Sequence, residues 1–193
     1  MPLLVHAVRR LRECASVGPV VVAAPAAWVS AFEGLLAGCD AVVVPGGAER
    51  QDSVLAALAA LPPEVGLVLV HDAARAFVPA VVVERVIRAL RDGAAAVVPV
   101  VAVADTVKRV DVNGSVLTTV PREDLRSAQT PQGFRRTVLE AAHASAPRGL
   151  TDDAAMVESA GIEVHTVEGS PEAFKVTTPF DLRIARALVT SHA

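Results

Sequence analysis

The chain has no tyrosine, one tryptophan and five phenylalanines among 193 residues. Its interior therefore cannot be organised round aromatic anchors. Within a 52% hydrophobic composition, valine and alanine dominate, and the core must rest on many small aliphatic contacts. Only two cysteines are present, Cys14 and Cys39, which excludes a disulfide framework, and their separation fits no metal-binding spacing. Positive charge is not in excess: the formal net charge is -3. That argues against nucleic acid as a bulk polyanionic partner and leaves small phosphorylated ligands, which need only a local cluster of charge. The longest apolar run, Ala94 to Ala104, is interrupted by Pro99 and is too short to cross a bilayer. The opening MPLLVHAVRRLREC has no apolar stretch ahead of a small-residue cleavage site. A cytoplasmic location with no membrane association is the resulting expectation.

What is present alternates. An amphipathic helix opens the chain, with Leu3, Leu4, Ala7, Val8 and Leu11 at helical spacing. Strands are then predicted at Val20 to Ala23, Ala41 to Val44, Leu67 to Val70 and Ala95 to Val98. Helices are predicted between them over Ala26 to Leu36, Asp52 to Leu61 and Val81 to Arg91. This alternation implies right-handed crossovers and a mostly parallel sheet in a single α/β domain, residues 1–193. The rhythm breaks at TVKRVDVNGSVLTTV, residues 106–120, where Asn113-Gly114 between two β-branched segments signals a hairpin. Such an insertion reads either as an arm leaving the domain body, over about 103–122, or as a hairpin lying on its own sheet. Helices from Arg135 to Ser145, from a Thr151-Asp152-Asp153 cap to Ser159, and from Asp181 to Thr190, with a strand at Glu163 to Val167, complete the expected elements.

The stretch GLVLVHDAAR, Gly66 to Arg75, concentrates the functional signal. Its aliphatic run suits a strand buried on both faces, and the run stops at His71, Asp72 and Arg75. In open α/β sheets ligands bind beyond the strands' carboxyl ends. The alternative is that Asp72 caps the next helix and Arg75 pairs with it at the surface. His71 reads as a local hydrogen-bonding residue rather than a proton carrier.

Further motifs follow a fixed order: GGAERQDSV from Gly46, HDAAR from His71, DTVKR from Asp105, TPQGF from Thr130, TDD from Thr151 and KVTTPFDL from Lys175. Taken together they resemble the 2-C-methyl-D-erythritol 4-phosphate cytidylyltransferase family over nearly the whole chain. The resemblance implies a nucleotidyltransferase-type, Rossmann-like α/β fold with a β-arm that crosses a homodimer to complete the neighbour's site. It implies a CTP-dependent enzyme of the non-mevalonate isoprenoid pathway that uses Mg²⁺ or another divalent cation. It places Gly47 and Ser53 near the cytidine, and Asp72, Ala73 and Arg75 where nucleotide and methylerythritol phosphate meet. Thr106 and Arg122, at the ends of the arm, would hold methylerythritol phosphate in the partner subunit. Thr130 would line the same site, and Lys175 would reach the phosphates.

The chemistry agrees with those residue types. Nucleotidyl transfer has a substrate phosphate attack the α-phosphorus of CTP in line, so the protein must position polyanions and neutralise charge. Lys175 and Arg75 supply positive charge, Arg122 and Thr106 fixed donors, and Asp72 an oxygen ligand suited to Mg²⁺. A phosphate dianion is already a nucleophile, so no general base is required. Members of the family open with a buried strand and a glycine-rich loop, whereas this sequence begins at MPLLVHA. The resemblance therefore predicts impaired or absent activity, since such a loop supplies backbone amides to the triphosphate. Two alternatives remain open here: a non-catalytic relative that keeps the polyol-phosphate pocket, and a cytidylyltransferase for ribitol 5-phosphate.

Overall fold

A computed structural model describes residues 1–193 apart from Ala146, Arg148, Thr151, His192 and Ala193, and the side chains of Thr190 and Ser191. The expected elements form close to their predicted positions. Helix α1 (Leu3–Arg12) buries Val5, Ala7, Val8 and Leu11 as one stripe. Strand β1 (Val20–Ala24), a short 3-10 turn with α2 (Val29–Leu35), and strand β2 (Ala41–Pro45) follow. Next come α3 (Arg50–Ala59), β3 (Leu67–Val70), α4 (Ala80–Arg91) and β4 (Ala96–Ala102). The hairpin is β5 (Val107–Val110) and β6 (Val116–Val120), paired only with each other. After it run β7 (Arg126–Ala128), β8 (Gln132–Arg135), α5 (Arg136–Ser145), α6 (Asp153–Ser159), β9 (Val164–Glu168) and α7 (Pro179–Ser191).

The α/β class is as expected, but the strand pairing is more mixed than simple alternation implies. Parallel pairs join β1 to β2 and β4 to β9. Between β3 and β4, however, lies β8, antiparallel to both. The segment QGFR is too short and too glycine-weakened to announce a strand, yet Phe134 and Gln132 within it are buried. Strand β4 also runs past Pro99. The proline falls where β8 hands over to β7: β8 pairs with Ala96 and Val97, and β7 with Val100 to Ala102. Its missing N–H is tolerated at that discontinuity.

Two helical layers cover the sheet. On one side Leu58 of α3, Leu139 and Ala142 of α5, and Met156 and Val157 of α6 close over Val68, Ala96 and Phe134. On the other, α4 buries Val82, Val83, Val86, Ile87 and Leu90. The β1–β2 pair is a separate small sheet. Between β1 and β3 lies a cavity of about 630 Å³ with largely apolar walls, also lined by Arg50, Ser53, His71, Asp72 and Ala73. No helix among the described residues is long and apolar enough to cross a membrane.

The contact between α4 and β8 yields a stability prediction. A Cβ on Gly133 would lie 2.4 Å from Val86 Cγ1 and 2.8 Å from Leu90 Cδ1. Gly133→Ala is expected to cost about 1–3 kcal/mol, in the range of overpacked cores. Urea unfolding checks it, and an unchanged midpoint would contradict this packing.

Candidate active site

Where β3 ends, the chain turns through His71 to Arg75, and one hydrogen-bonded chain fixes that turn. The Arg75 amide donates to the Asp72 carbonyl at 2.9 Å. The His71 ring meets the Arg75 carbonyl through Nε2 at 3.1 Å, so Nε2 carries the proton. Nδ1, 2.9 Å from Thr130 Oγ1, therefore accepts from that hydroxyl, whose oxygen accepts in turn from the Asp72 amide at 3.0 Å. Burial pushes the imidazole down to about 4, despite the opposing pull of the Arg75 carbonyl and Asp72. His71 is thus a neutral structural link, as its position at a strand end suggested, and Thr130 is brought directly beneath Asp72.

Lys175 arrives from the far end of the chain. The Val176 amide donates to the Ala74 carbonyl at 2.9 Å, docking the segment beside the turn. Lys175 Nζ then lies 2.9 Å from Asp72 Oδ2. Burial favours the protonated form of Asp72, but the hydrogen bond and charge of Lys175, with Arg50 and Arg75 behind it, outweigh burial and hold the carboxyl below its usual value. Lys175 remains 47% exposed while Asp72 is 23% exposed. The pair therefore sits at the surface of the cluster, where a ligand can reach the ammonium.

Arg75 is placed beside this pair but is used differently from its expected role as a freely offered cation. Nη1 donates to the Ala173 carbonyl at 2.8 Å and Nη2 to the Ala128 carbonyl at 3.1 Å. Its Nε lies 3.9 Å from Asp72 Oδ2. Arg75 is a strut between the turn, β7 and the segment before Lys175, and its charge bears on Asp72.

Gly47 sits on the loop from β2 to α3, and Ser53 in the first turn of α3. The Ser53 hydroxyl accepts from the Gly47 amide and donates to the Glu49 carbonyl, each at 3.1 Å. A Cβ on Gly47 would fall 2.1 Å from Asp52 Cβ, so this tight return needs glycine. A capping box between Glu49 and Asp52 opens α3. Ala73 is exposed next to Asp72. Asp152 caps α6 through the Ala155 amide at 2.9 Å, while Thr151 of the predicted cap lies outside the described residues.

Thr106 and Arg122 are not brought to this cluster within the chain. Both are exposed at the base of the hairpin, where Arg122 Nη1 donates to the Ala104 carbonyl. The sequence reading also missed a triad built round the buried Asp153. Arg50 Nη2 lies 2.6 Å from Asp153 Oδ2, and His143 Nε2 lies 2.9 Å from Asp153 Oδ1. Arg50 stood inside the GGAERQDSV motif, but nothing local in the sequence links it to Asp153. No group of three or more His, Cys, Asp or Glu side chains capable of holding a metal occurs among the described residues. A single carboxylate beside phosphates is nevertheless the kind of donor set that Mg²⁺ uses, and Asp72 fits it.

The family model described as 2-C-methyl-D-erythritol 4-phosphate cytidylyltransferase (IspD) matches residues 1–191. The protein of that name from Frankia casuarinae is 53% identical over 188 residues, covering 97% of this chain and 70% of its own length. The one from Saccharopolyspora erythraea is 55% identical over 192 residues, covering 97% and 86%. Among solved structures, the 2-C-methyl-D-erythritol 4-phosphate cytidylyltransferase of Thermus thermophilus superposes with a TM-score of 0.81 at 38% identity, over 97% of this chain and 89% of that one. The 4-diphosphocytidyl-2C-methyl-D-erythritol synthase of Anaerococcus prevotii gives a TM-score of 0.88 at 25% identity, over 98% and 86%. The expected impairment is not borne out by these matches.

The buried neutral imidazole carries a pH prediction. The fold lowers His71 from 6.5 to about 4, so its contribution to stability is complete above pH 6.5 and is lost as the pH falls towards 4. The melting temperature should decline across that window more steeply in the wild type than in His71→Asn. Parallel profiles would contradict the assignment.

Proposed function

We propose how the Asp72 cluster serves a chain that belongs to the 2-C-methyl-D-erythritol 4-phosphate cytidylyltransferase family. The chain is a cytidylyltransferase, passing the cytidylyl group of CTP to 2-C-methyl-D-erythritol 4-phosphate with release of pyrophosphate. Relatives sharing about half their residues with it and carrying that name support methylerythritol phosphate over ribitol phosphate. They also support an enzyme over a non-catalytic binding module.

A phosphate oxygen of methylerythritol phosphate attacks the α-phosphorus of CTP. As that P–O bond forms, the bond to the bridging oxygen of the leaving pyrophosphate breaks, and negative charge grows on the leaving group and the equatorial oxygens. Lys175 is the cation positioned to take up this charge, because its ammonium stays accessible while Asp72 orients it. Asp72 would hold a divalent cation through its carboxylate, and that ion would draw charge from the phosphates. Arg75 keeps the turn and the Lys175 segment in register. Gly47 and Ser53 receive the cytidine, with Ala73 offering backbone next to the nucleotide, and Thr130 fixes the floor under Asp72 where the sugar phosphate enters. The observation that carries this reading is the 2.9 Å contact between Lys175 and Asp72, which joins two separately recognised motifs.

Thr106 and Arg122 enter the scheme from a second copy of the chain. Their own chain leaves them at the arm's base, and the arm exposes Val110, Val112, Val116 and Leu117, an apolar surface that a homodimer would cover. The reaction is placed in the cytoplasm, where CTP is available.

Lys175→Ala should fold and lower the rate of pyrophosphate release by more than about tenfold, as expected for loss of a charge-stabilising group. An unchanged rate would remove Lys175 from the site. Asp72→Ala and Arg122→Ala chains, each inactive alone, should regain activity when mixed, because one of the two sites in a mixed dimer is intact. Failure to complement would count against a shared site.

A further inference from the structure

We propose that Arg50 is a positioning residue for the nucleotide, acting through a bracket at the start of α6 that locks the Gly47–Ser53 loop to the Asp72 turn. The inference deepens the reading above and rests on it for the identity of the ligand. The bracket has two ends. Towards the sheet, Gln132 of β8, paired with Val70, donates through Nε2 to Asp152 Oδ2 at 2.7 Å and accepts from the Ala154 amide through Oε1 at 3.1 Å. The first turn of α6 is thereby tied to the strand that ends at His71 and Asp72. Towards α3, the fully buried Asp153 holds Arg50 at 2.6 Å, and Gln51 Nε2 reaches Met156 Sδ at 3.4 Å. The first two residues of α3 are therefore fastened to α6, and the same turn of α3 carries Ser53, which shapes the Gly47 return.

The energetics favour a fixed link over an incidental ion pair. A carboxylate with no solvent contact must be compensated, and breaking such a pair leaves a buried charge. Asp153 is compensated by Arg50 and by the hydrogen bond of His143. Burial works against its ionised form, but these two partners hold its carboxyl below the usual value. Arg50 cannot leave Asp153 cheaply, so the loop before α3 cannot shift relative to α6 and β3. Arg50 also lines the cavity with Ser53 and Asp72, and its charge helps keep Asp72 ionised. One guanidinium thus ties together the two halves that receive base and phosphates.

Steady-state kinetics of Arg50→Gln, Arg50→Lys and Asp153→Asn test the proposal, each substrate being varied with the other saturating. The KM for CTP should rise about fivefold or more in Arg50→Gln while that for methylerythritol phosphate stays within about twofold, the mark of lost binding to one substrate. Arg50→Lys should recover part of the loss, and the Arg50→Gln/Asp153→Asn pair should be no worse than the worse single variant. An unchanged KM for CTP in folded variants, whatever their melting temperatures, would make the triad merely structural and overturn the proposal. Hydrogen exchange on the wild-type chain decides if the variants do not fold. CTP with Mg²⁺ should slow exchange in residues 153–159 as well as 46–53, and protection confined to the loop would overturn it. Absence of any cytidylyl transfer by the wild type would instead strike at the function proposed above.

Discussion

The contact between Asp72 and Lys175 is the constraint on which the site depends. A half-buried carboxylate at a strand's end would lean towards its neutral form. The ammonium 2.9 Å away, with Arg50 and Arg75 behind it, keeps it ionised. The pairing is reciprocal: an exposed lysine on a loop would be mobile, and Asp72 fixes its head where phosphates would lie. Much of the surrounding polar architecture serves that geometry. His71 and Thr130 set the turn from below, Arg75 braces it against β7 and the loop before Lys175, and the Val176 amide docks the lysine's backbone.

Neutral and charged groups divide the work by depth. The imidazole is buried in its uncharged tautomer, where it can donate and accept without an ion to desolvate. The charges lie nearer the surface, or are paired in place as in Arg50–Asp153. Small side chains make this possible. Mostly small aliphatic side chains pack the sheet between helices, with Phe134 a large ring buried among them, and glycines at 47 and 133 admit approaches that a Cβ would block.

Periodicity located most elements because their faces are cleanly divided, as in α4, whose buried valines and Leu90 recur at helical spacing. The hairpin was legible from Asn113-Gly114. Strands β7 and β8 were not, since three or four residues containing glycine or arginine carry too little pattern and are held by the pairing they enter. Pro99 concealed the second half of β4 for a local reason that tertiary pairing overrides. At the site, the order of motifs pointed to Asp72, Arg75, Thr130 and Lys175, which the fold does bring together. It could not reveal that Arg75 commits both terminal nitrogens to carbonyls. Nor could it show that Asp153 binds Arg50, because residues so distant in sequence leave no spacing signal. Thr106 and Arg122 were legible only through resemblance, and their place at the arm's base fits a role outside their own chain's cluster.

Turnover of Asp72→Asn with CTP, Mg²⁺ and methylerythritol phosphate tests the central claim most directly. The amide preserves the side chain's shape and removes the charge that orients Lys175. The account predicts a chain that folds and melts near the wild type but transfers cytidylyl groups at least about a hundredfold more slowly, as when a preorganised electrostatic group is lost. A folded Asp72→Asn chain with a rate within about twofold of the wild type would contradict it.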